Sequence, residues 1–316
     1  MKKYQVVFFG TPEIALPSLH ALVESQEIEV VAVVTQPDKP TGRHQDLTSS
    51  AVKIYATEQD IPVLQPETLK GNEEFEELLR ELEPDIFVII SYGHIIPQKM
   101  LDIPKFGAVN IHVSLLPKYR GASPIQQALL NGDVGTGITM IKINEKMDAG
   151  DVLFTKKMPI EEVDTAETLS AKLGVLGGEF IEPIVLDFME GHLKPIPQNH
   201  SQATFCSKIE KDDGKIDWGR HSAQEIFNQI RAFTPWPGSF TMWDSKRLKI
   251  IEAKPGDEKI KPGLMKITAE GKSLIIGTKK GSIHPIKVQL EGKGIVDIKT
   301  FLNGNKEKIE KNPELS

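Results

Sequence analysis

Tyr4-Gln5-Val6-Val7-Phe8-Phe9-Gly10-Thr11-Pro12-Glu13 decides the architecture. From Tyr4 to Phe9 the run is almost wholly apolar and aromatic, the pattern of a strand covered on both faces in a parallel sheet. Gly10-Thr11-Pro12 supplies a turn, with Thr11 as the expected N-cap and Pro12 at the first helical position. A helix to about residue 25 and a second buried strand over 28–35 follow, so the chain opens β-α-β, the unit of a right-handed crossover. Gly-x-Gly-x-x-Gly is absent, which excludes a nicotinamide fingerprint.

The alternation continues outward. The pattern predicts a helix over 49–59, a short strand at 62–64, a Glu-rich helix over 72–82 and a strong strand over 85–91. A helix over 124–130 and strands over 137–143 and 152–159 come next. The long helix over 166–189 carries Leu169, Leu173, Leu176 and Phe180 at helical spacing, and Pro183 is expected to kink it. These elements predict a Rossmann-like α/β fold, a doubly wound and mostly parallel sheet. Residues 191–204 hold Pro195, Pro197, Asn199 and Ser201 without periodicity and are expected to be a linker. Beyond them, a helix near 224–233 and five short strands (239–243, 248–253, 263–267, 273–277 and 283–289) predict a smaller OB-like β-barrel. The expected division is a catalytic domain over 1–190, the linker over 191–204 and a β-barrel domain over 205–316.

Composition narrows the class. With 39% hydrophobic and 26% charged residues over 316 positions, the chain is neither disordered nor membrane-embedded, because no apolar run approaches the ~18–20 residues of a span. The N-terminal run is short and lacks a small-residue cleavage site, so it reads as a first strand and not a signal peptide. One cysteine, Cys206, permits no internal disulfide, and a cytoplasmic protein is expected. The net charge of −6 conceals an asymmetry: 17 Lys and Arg stand against 29 Asp and Glu up to residue 204, and 21 against 15 from 205 on. A net of −12 thus precedes a net of +6, a cue for an anionic partner of the second part.

Chemistry concentrates in Gly107-Ala108-Val109-Asn110-Ile111-His112-Val113-Ser114-Leu115-Leu116-Pro117-Lys118-Tyr119-Arg120-Gly121. Along an extended segment Asn110, His112 and Ser114 share one face, and Val109, Ile111 and Val113 the other. Alone, Asn-x-His is the wet face of a half-buried strand, and Asp148 in 144–151 is ordinary turn chemistry. No Gly-x-Ser-x-Gly, His-Glu-x-x-His, paired Cys-x-x-Cys or His/Asp cluster at ligand spacing is present, so neither a covalent nucleophile nor a metal is implied. Asn110, His112 and Asp148 together suit direct acyl transfer. An amide and an imidazole can donate to a tetrahedral oxyanion, and a carboxylate can orient the imidazole.

Asn110-Ile111-His112, the turn Ser114-Leu115-Leu116-Pro117-Lys118-Tyr119-Arg120-Gly121 and Asp148-x-Gly150-Asp151 resemble the folate-dependent formyltransferase superfamily. Within it, the segments Thr35-Gln36-Pro37-Asp38-Lys39-Pro40-Thr41-Gly42-Arg43, Pro62-Val63-Leu64-Gln65-Pro66 and Pro124-Ile125-Gln126 resemble the enzymes that formylate methionyl-tRNA. So do Lys215-Ile216-Asp217-Trp218 and Arg231-Ala232-Phe233-Thr234-Pro235-Trp236-Pro237-Gly238. The resemblance implies formyl transfer from 10-formyltetrahydrofolate to the α-amino group of methionyl initiator tRNA through an oxyanion. It makes Asn110, His112 and Asp148 the catalytic set, Ser114, Leu115, Leu116 and Pro117 the folate-binding turn, and Arg43 part of a tRNA-contacting loop. It implies no metal, and the barrel would help hold tRNA through phosphate contacts. A monomer is expected. Two departures stand out: His44-Gln45-Asp46 follows the loop arginine where basic residues are common, and Val113 stands where Gly, Ala or Pro is usual. The rival readings are an amino-sugar N-formyltransferase and a non-catalytic RNA-binding protein on the same scaffold.

Overall fold

A computed structural model describes residues 3–41 and 46–316. They fall into two units: Met1–Gly121, Thr136–Pro159 and Ser170–Phe205 form the first, and Ala122–Gly135, Ile160–Leu169 and Cys206–Ser316 the second.

The first unit is built on β1 (Tyr4–Gly10), α1 (Leu16–Glu24), β2 (Ile28–Val34), α2 (Ala51–Glu58), β3 (Val63–Leu64), α3 (Glu73–Glu81), β4 (Ile86–Ile90) and β5 (Ala108–His112). After α4 (Pro124–Leu130) come β6 (Gly135–Lys142), β7 (Val152–Pro159) and the long α5 (Ala166–Met189). The sheet order is β7-β6-β5-β4-β1-β2-β3. β1 runs parallel to β2 and β4, as do β2 to β3 and β4 to β5, while β5 and β6 are antiparallel. This is the Rossmann-like, mostly parallel sheet that the sequence predicts. Val6, Val7, Phe8 and Phe9 are fully buried, as a strand sandwiched between helical layers requires. The chain moves outward from β1 through β2 to β3, then returns to β4 beside β1. This reversal opens a crevice at the strands' carboxyl ends, where such sheets take ligands.

Thr11 does not cap a helix. A 3₁₀ turn over Glu13–Ala15 precedes α1, and the position before that turn is Pro12. The Thr11 hydroxyl lies between strand ends instead, donating to the Tyr92 carbonyl at 3.2 Å and accepting from the Gln36 amide at 3.3 Å. Partners in the crevice outcompete the local cap. α5 runs unbroken through Pro183. Close packing sets its position, since a Cβ on Gly178 would stand 2.8 Å from the Pro17 carbonyl.

The segment expected to be a linker, 191–204, belongs to the first unit. Ile196 pairs with Val152 on the edge strand β7, by hydrogen bonds of 2.7 and 2.8 Å, and Gln198 is buried. An edge strand offers free backbone groups, and this irregular, proline-containing segment satisfies some of them.

The second unit holds α4, α6 (Ala223–Ala232), β8 (Ser239–Trp243), β9 (Lys246–Gly256), β10 (Met265–Ile267), β11 (Leu274–Gly277), β12 (Ser282–Leu290), β13 (Ile295–Asp297) and α7 (Ile298–Lys311). The antiparallel sheet order is β8-β9-β12-β11-β10, with β13 on β12. Trp243, Leu248, Ile276, Val288 and Phe301 lie in its core. The chain's last residues join the two edge strands. Ser316 exchanges backbone bonds with Met242 on β8, while Pro313 accepts from Met265 on β10. The five expected strands are present, and β13 and α7 are additions. The inserted segments 122–135 and 160–169 contribute Asp133, Glu161, Glu162, Asp164 and Glu167 and no Lys or Arg, which offsets most of the +6 of the last part.

Candidate active site

β5 delivers two polar side chains from an otherwise apolar strand. Val109 and Ile111 are buried on one face; on the other Asn110 is half-buried and His112 is 6% exposed. Just past the strand Val113 is also buried, which accommodates its extra bulk. The turn that follows is held from inside. Ser114 Oγ donates to the Lys118 carbonyl at 2.6 Å. Thr139 Oγ1 on β6 donates to the Ser114 carbonyl at 2.7 Å and accepts from the Leu116 amide at 3.1 Å. Ser114 is therefore spent on the turn, whereas Leu115, Leu116 and Pro117 keep partly exposed apolar surface.

His112 is gripped at both ring nitrogens. Nε2 donates to the Tyr119 carbonyl at 2.8 Å, and Nδ1 stands 3.5 Å from Asp148 Oδ1. A carbonyl only accepts, so Nε2 is the donor in the bond to Tyr119. The other carboxylate oxygen, Asp148 Oδ2, accepts from the Gly121 amide at 2.8 Å. Both clamping residues have left-handed backbones, Tyr119 at φ +60° and Asp148 at φ +51°. Each such conformation costs of order 1–3 kcal/mol and persists only where the surroundings impose it. Gly150 helps impose it, because a Cβ there would overlap the Lys142 carbonyl oxygen. The Asn110 amide has no hydrogen-bond partner among the described residues and is free to donate to a ligand oxygen.

Sequence reading thus identifies the carboxylate, imidazole and amide that the fold brings to one place. It misses the Tyr119 carbonyl, Thr139, and the buried pair Arg120 and Gln198 behind Asp148. No side-chain motif marks a backbone carbonyl, and Arg120 and Gln198 are 78 positions apart. Arg43 lies outside the described residues. Before it in the chain, Asp38 accepts from Lys53 Nζ at 2.7 Å, Gln65 Nε2 at 2.9 Å and Ser49 Oγ at 3.2 Å. The Lys53 bond, then the Gln65 bond, hold the Asp38 carboxyl below the usual carboxylate range. A cleft of about 500 Å³ opens between Thr11, Gln36, Pro37 and Ser50, and none of Asn110, His112 and Asp148 lines it.

Residues 2–182 match the formyl transferase family and residues 208–306 the formyl transferase C-terminal domain. The methionyl-tRNA formyltransferase of Koribacter versatilis is 43% identical over 300 residues, covering 95% of each chain. That of Thermodesulfovibrio yellowstonii is 42% identical over 301 residues, 95% of this chain and 96% of its own. The chain belongs to the methionyl-tRNA formyltransferase family. An N-formyltransferase from Helicobacter canadensis, solved with folinic acid and dTDP-3-aminofucose, superposes with a TM-score of 0.66 over 90% of this chain and 99% of its own. At 23% identity that likeness shows a shared fold. Against the expectation of no ligand-spaced cluster, this member of the methionyl-tRNA formyltransferase family brings Asp187, Glu190 and His192 within 4.8 Å at the end of α5. All three are exposed, and His192 is paired to both acids.

Proposed function

We propose that the chain transfers the formyl group of 10-formyltetrahydrofolate to the α-amino group of methionine on initiator tRNA. The observation that carries this reading is the 43% identity, across 95% of both chains, to a methionyl-tRNA formyltransferase. The site chemistry agrees with it. Attack of the uncharged amine forms the new C–N bond and drives charge onto the formyl oxygen, and collapse breaks the bond to folate N10, which leaves with the proton that the attacking nitrogen gives up. Asn110 donates to that oxygen. His112 is the second donor once the Tyr119 carbonyl releases Nε2–H, and Asp148 holds the ring meanwhile. The half-exposed Leu115, Leu116 and Pro117 offer the folate an apolar wall. Arg43 and the lysines of the second unit meet the tRNA backbone.

Work on initiator tRNA places the protein in the cytoplasm, and no helix among the described residues is long and apolar enough to cross a membrane. We take it to act as a monomer. Incubation with 10-formyltetrahydrofolate and charged initiator tRNA should yield formyl-methionine only when both are present. Formylation of a dTDP-amino sugar in place of the tRNA would defeat this reading.

A further inference from the structure

We propose that Gln198 is a positioning residue for the reaction: one buried amide that fixes where the Asp148 carboxylate meets His112. The inference rests on the formyl-transfer reading above. It concerns a residue of the segment that sequence alone assigns to a linker.

Gln198 is 7% exposed, and all its hydrogen-bonding groups are used. Nε2 donates to the Asp148 carbonyl at 2.9 Å and to the Gly150 carbonyl at 2.7 Å. Oε1 accepts from Arg120 Nε at 3.2 Å and from Arg120 Nη2 at 2.6 Å. A guanidinium only donates and a carbonyl only accepts, so the amide has a single orientation. Arg120 is itself buried, and its Nη2 also reaches His200 Nδ1 at 2.9 Å.

These bonds converge on His112 from two directions. Through the Asp148 and Gly150 carbonyls, Gln198 ties down the turn whose left-handed residue carries the carboxylate. Through Arg120 it ties down the chain on the other side. There the Gly121 amide holds Asp148 Oδ2, and the Tyr119 carbonyl holds His112 Nε2. Thr204 reinforces that side: its hydroxyl accepts from the Tyr119 amide and its carbonyl from the Arg120 amide, both at 2.9 Å. One side chain therefore couples the two walls of the imidazole's cradle. Without it the Asp148 turn, strained at φ +51°, loses the tether that Gln198 provides to Arg120. A displacement of 1 Å at a reacting group costs about 10²-fold in rate.

The test uses the full chain and measures kcat and both KM values for Gln198→Met, Gln198→Glu, Asp148→Asn and the double variant Gln198→Met/Asp148→Asn. Methionine keeps the volume and removes every hydrogen bond. Glutamate keeps the acceptor for Arg120 but sets a carboxylate oxygen against two carbonyls. Gln198→Met should lower kcat about 10–100-fold and leave both KM values within about 3-fold. Gln198→Glu should fall at least as far, so the pair stands even if one of the two folds poorly. The deciding outcome is the cycle. If Gln198 acts through Asp148, its replacement in the Asp148→Asn background should cost less than about 3-fold. Losses that multiply, or a Gln198→Met enzyme within 2-fold of the parent, overturn the proposal while the parent's formyl transfer stands. A parent that transfers no formyl group instead overturns the reading on which it rests.

Discussion

Each unit contains an imidazole facing a carboxylate, and the two pairs differ in the way that matters. In the first unit His112 and Asp148 are 3.5 Å apart, with side chains 7% and 15% exposed. In the second, His284 Nε2 and Glu258 Oε2 are 2.8 Å apart, with side chains 31% and 44% exposed. The shorter contact is the wetter one. Exposed side chains are free to close on each other, but water screens what they gain, and such pairs contribute about 0–1 kcal/mol. The buried pair is held by backbone groups that do not relax toward an ideal length, and its lower dielectric makes each interaction count for more. Burial and backbone clamps, not contact length, set His112 and Asp148 apart.

Removing each imidazole in turn should separate the two pairs most widely. His112→Ala should lower kcat by at least 10²–10³, the cost of about 2.7–4 kcal/mol for one lost oxyanion donor. His284→Ala should leave kcat within about 2-fold. Single-turnover rates with both substrates saturating separate the two outcomes, and comparable losses would mean that burial is not what makes the pair at His112 special.

What the sequence discloses, and what it hides, follows the same line. Strand ends, an Asn and a His on one strand face and an Asp in the neighbouring turn are side-chain facts with a local signature. The alternation of β1 to α5 was legible for the same reason, because apolar periodicity is written residue by residue. The hidden features are relations between distant positions. Thr11 left its capping role for partners just past the ends of two other strands, and 191–204, lacking periodicity, took its order from the edge of β7. α7 escaped because Asn303-Gly304-Asn305 interrupts it with poor helix formers, while burial of Phe301, Leu302 and Ile309 sustains it. The charge split at 204/205 was right in arithmetic but incomplete in space, since the acidic segments 122–135 and 160–169 fold with the basic one.

The second unit as a whole is nearly balanced in charge. If its positive charge serves the tRNA backbone, the effect must come from particular lysines and not from the nearly balanced whole. Lys279 and Lys280 are exposed beyond β11. Lys279→Glu with Lys280→Glu should raise KM for the tRNA about 3–10-fold, leave KM for the folate unchanged, and lose its effect as salt is raised. An equal change in both KM values would assign those lysines a structural role.

The smallest effect belongs to the wet pair itself. Glu258 accepts from Ser282 Oγ and from His284 Nε2. The Ser282 bond, then the His284 bond, hold its carboxyl down at about 2. An unfolded glutamate titrates near 4.3, so the folded chain favours the ionised form. Whatever stability Glu258 contributes is complete above that value and is lost as the pH falls toward 2. Because the side chain is 44% exposed, the contribution is on the scale of an exposed pair. Glu258→Gln should therefore melt about 1–3 °C below the parent at pH 6, with unchanged kcat, and the gap should close between pH 4 and pH 2. The same acid scan on Asp148→Asn should separate structure from chemistry, since there the loss that matters is in turnover at neutral pH. A Glu258→Gln enzyme that also loses turnover would erase the distinction between the two pairs.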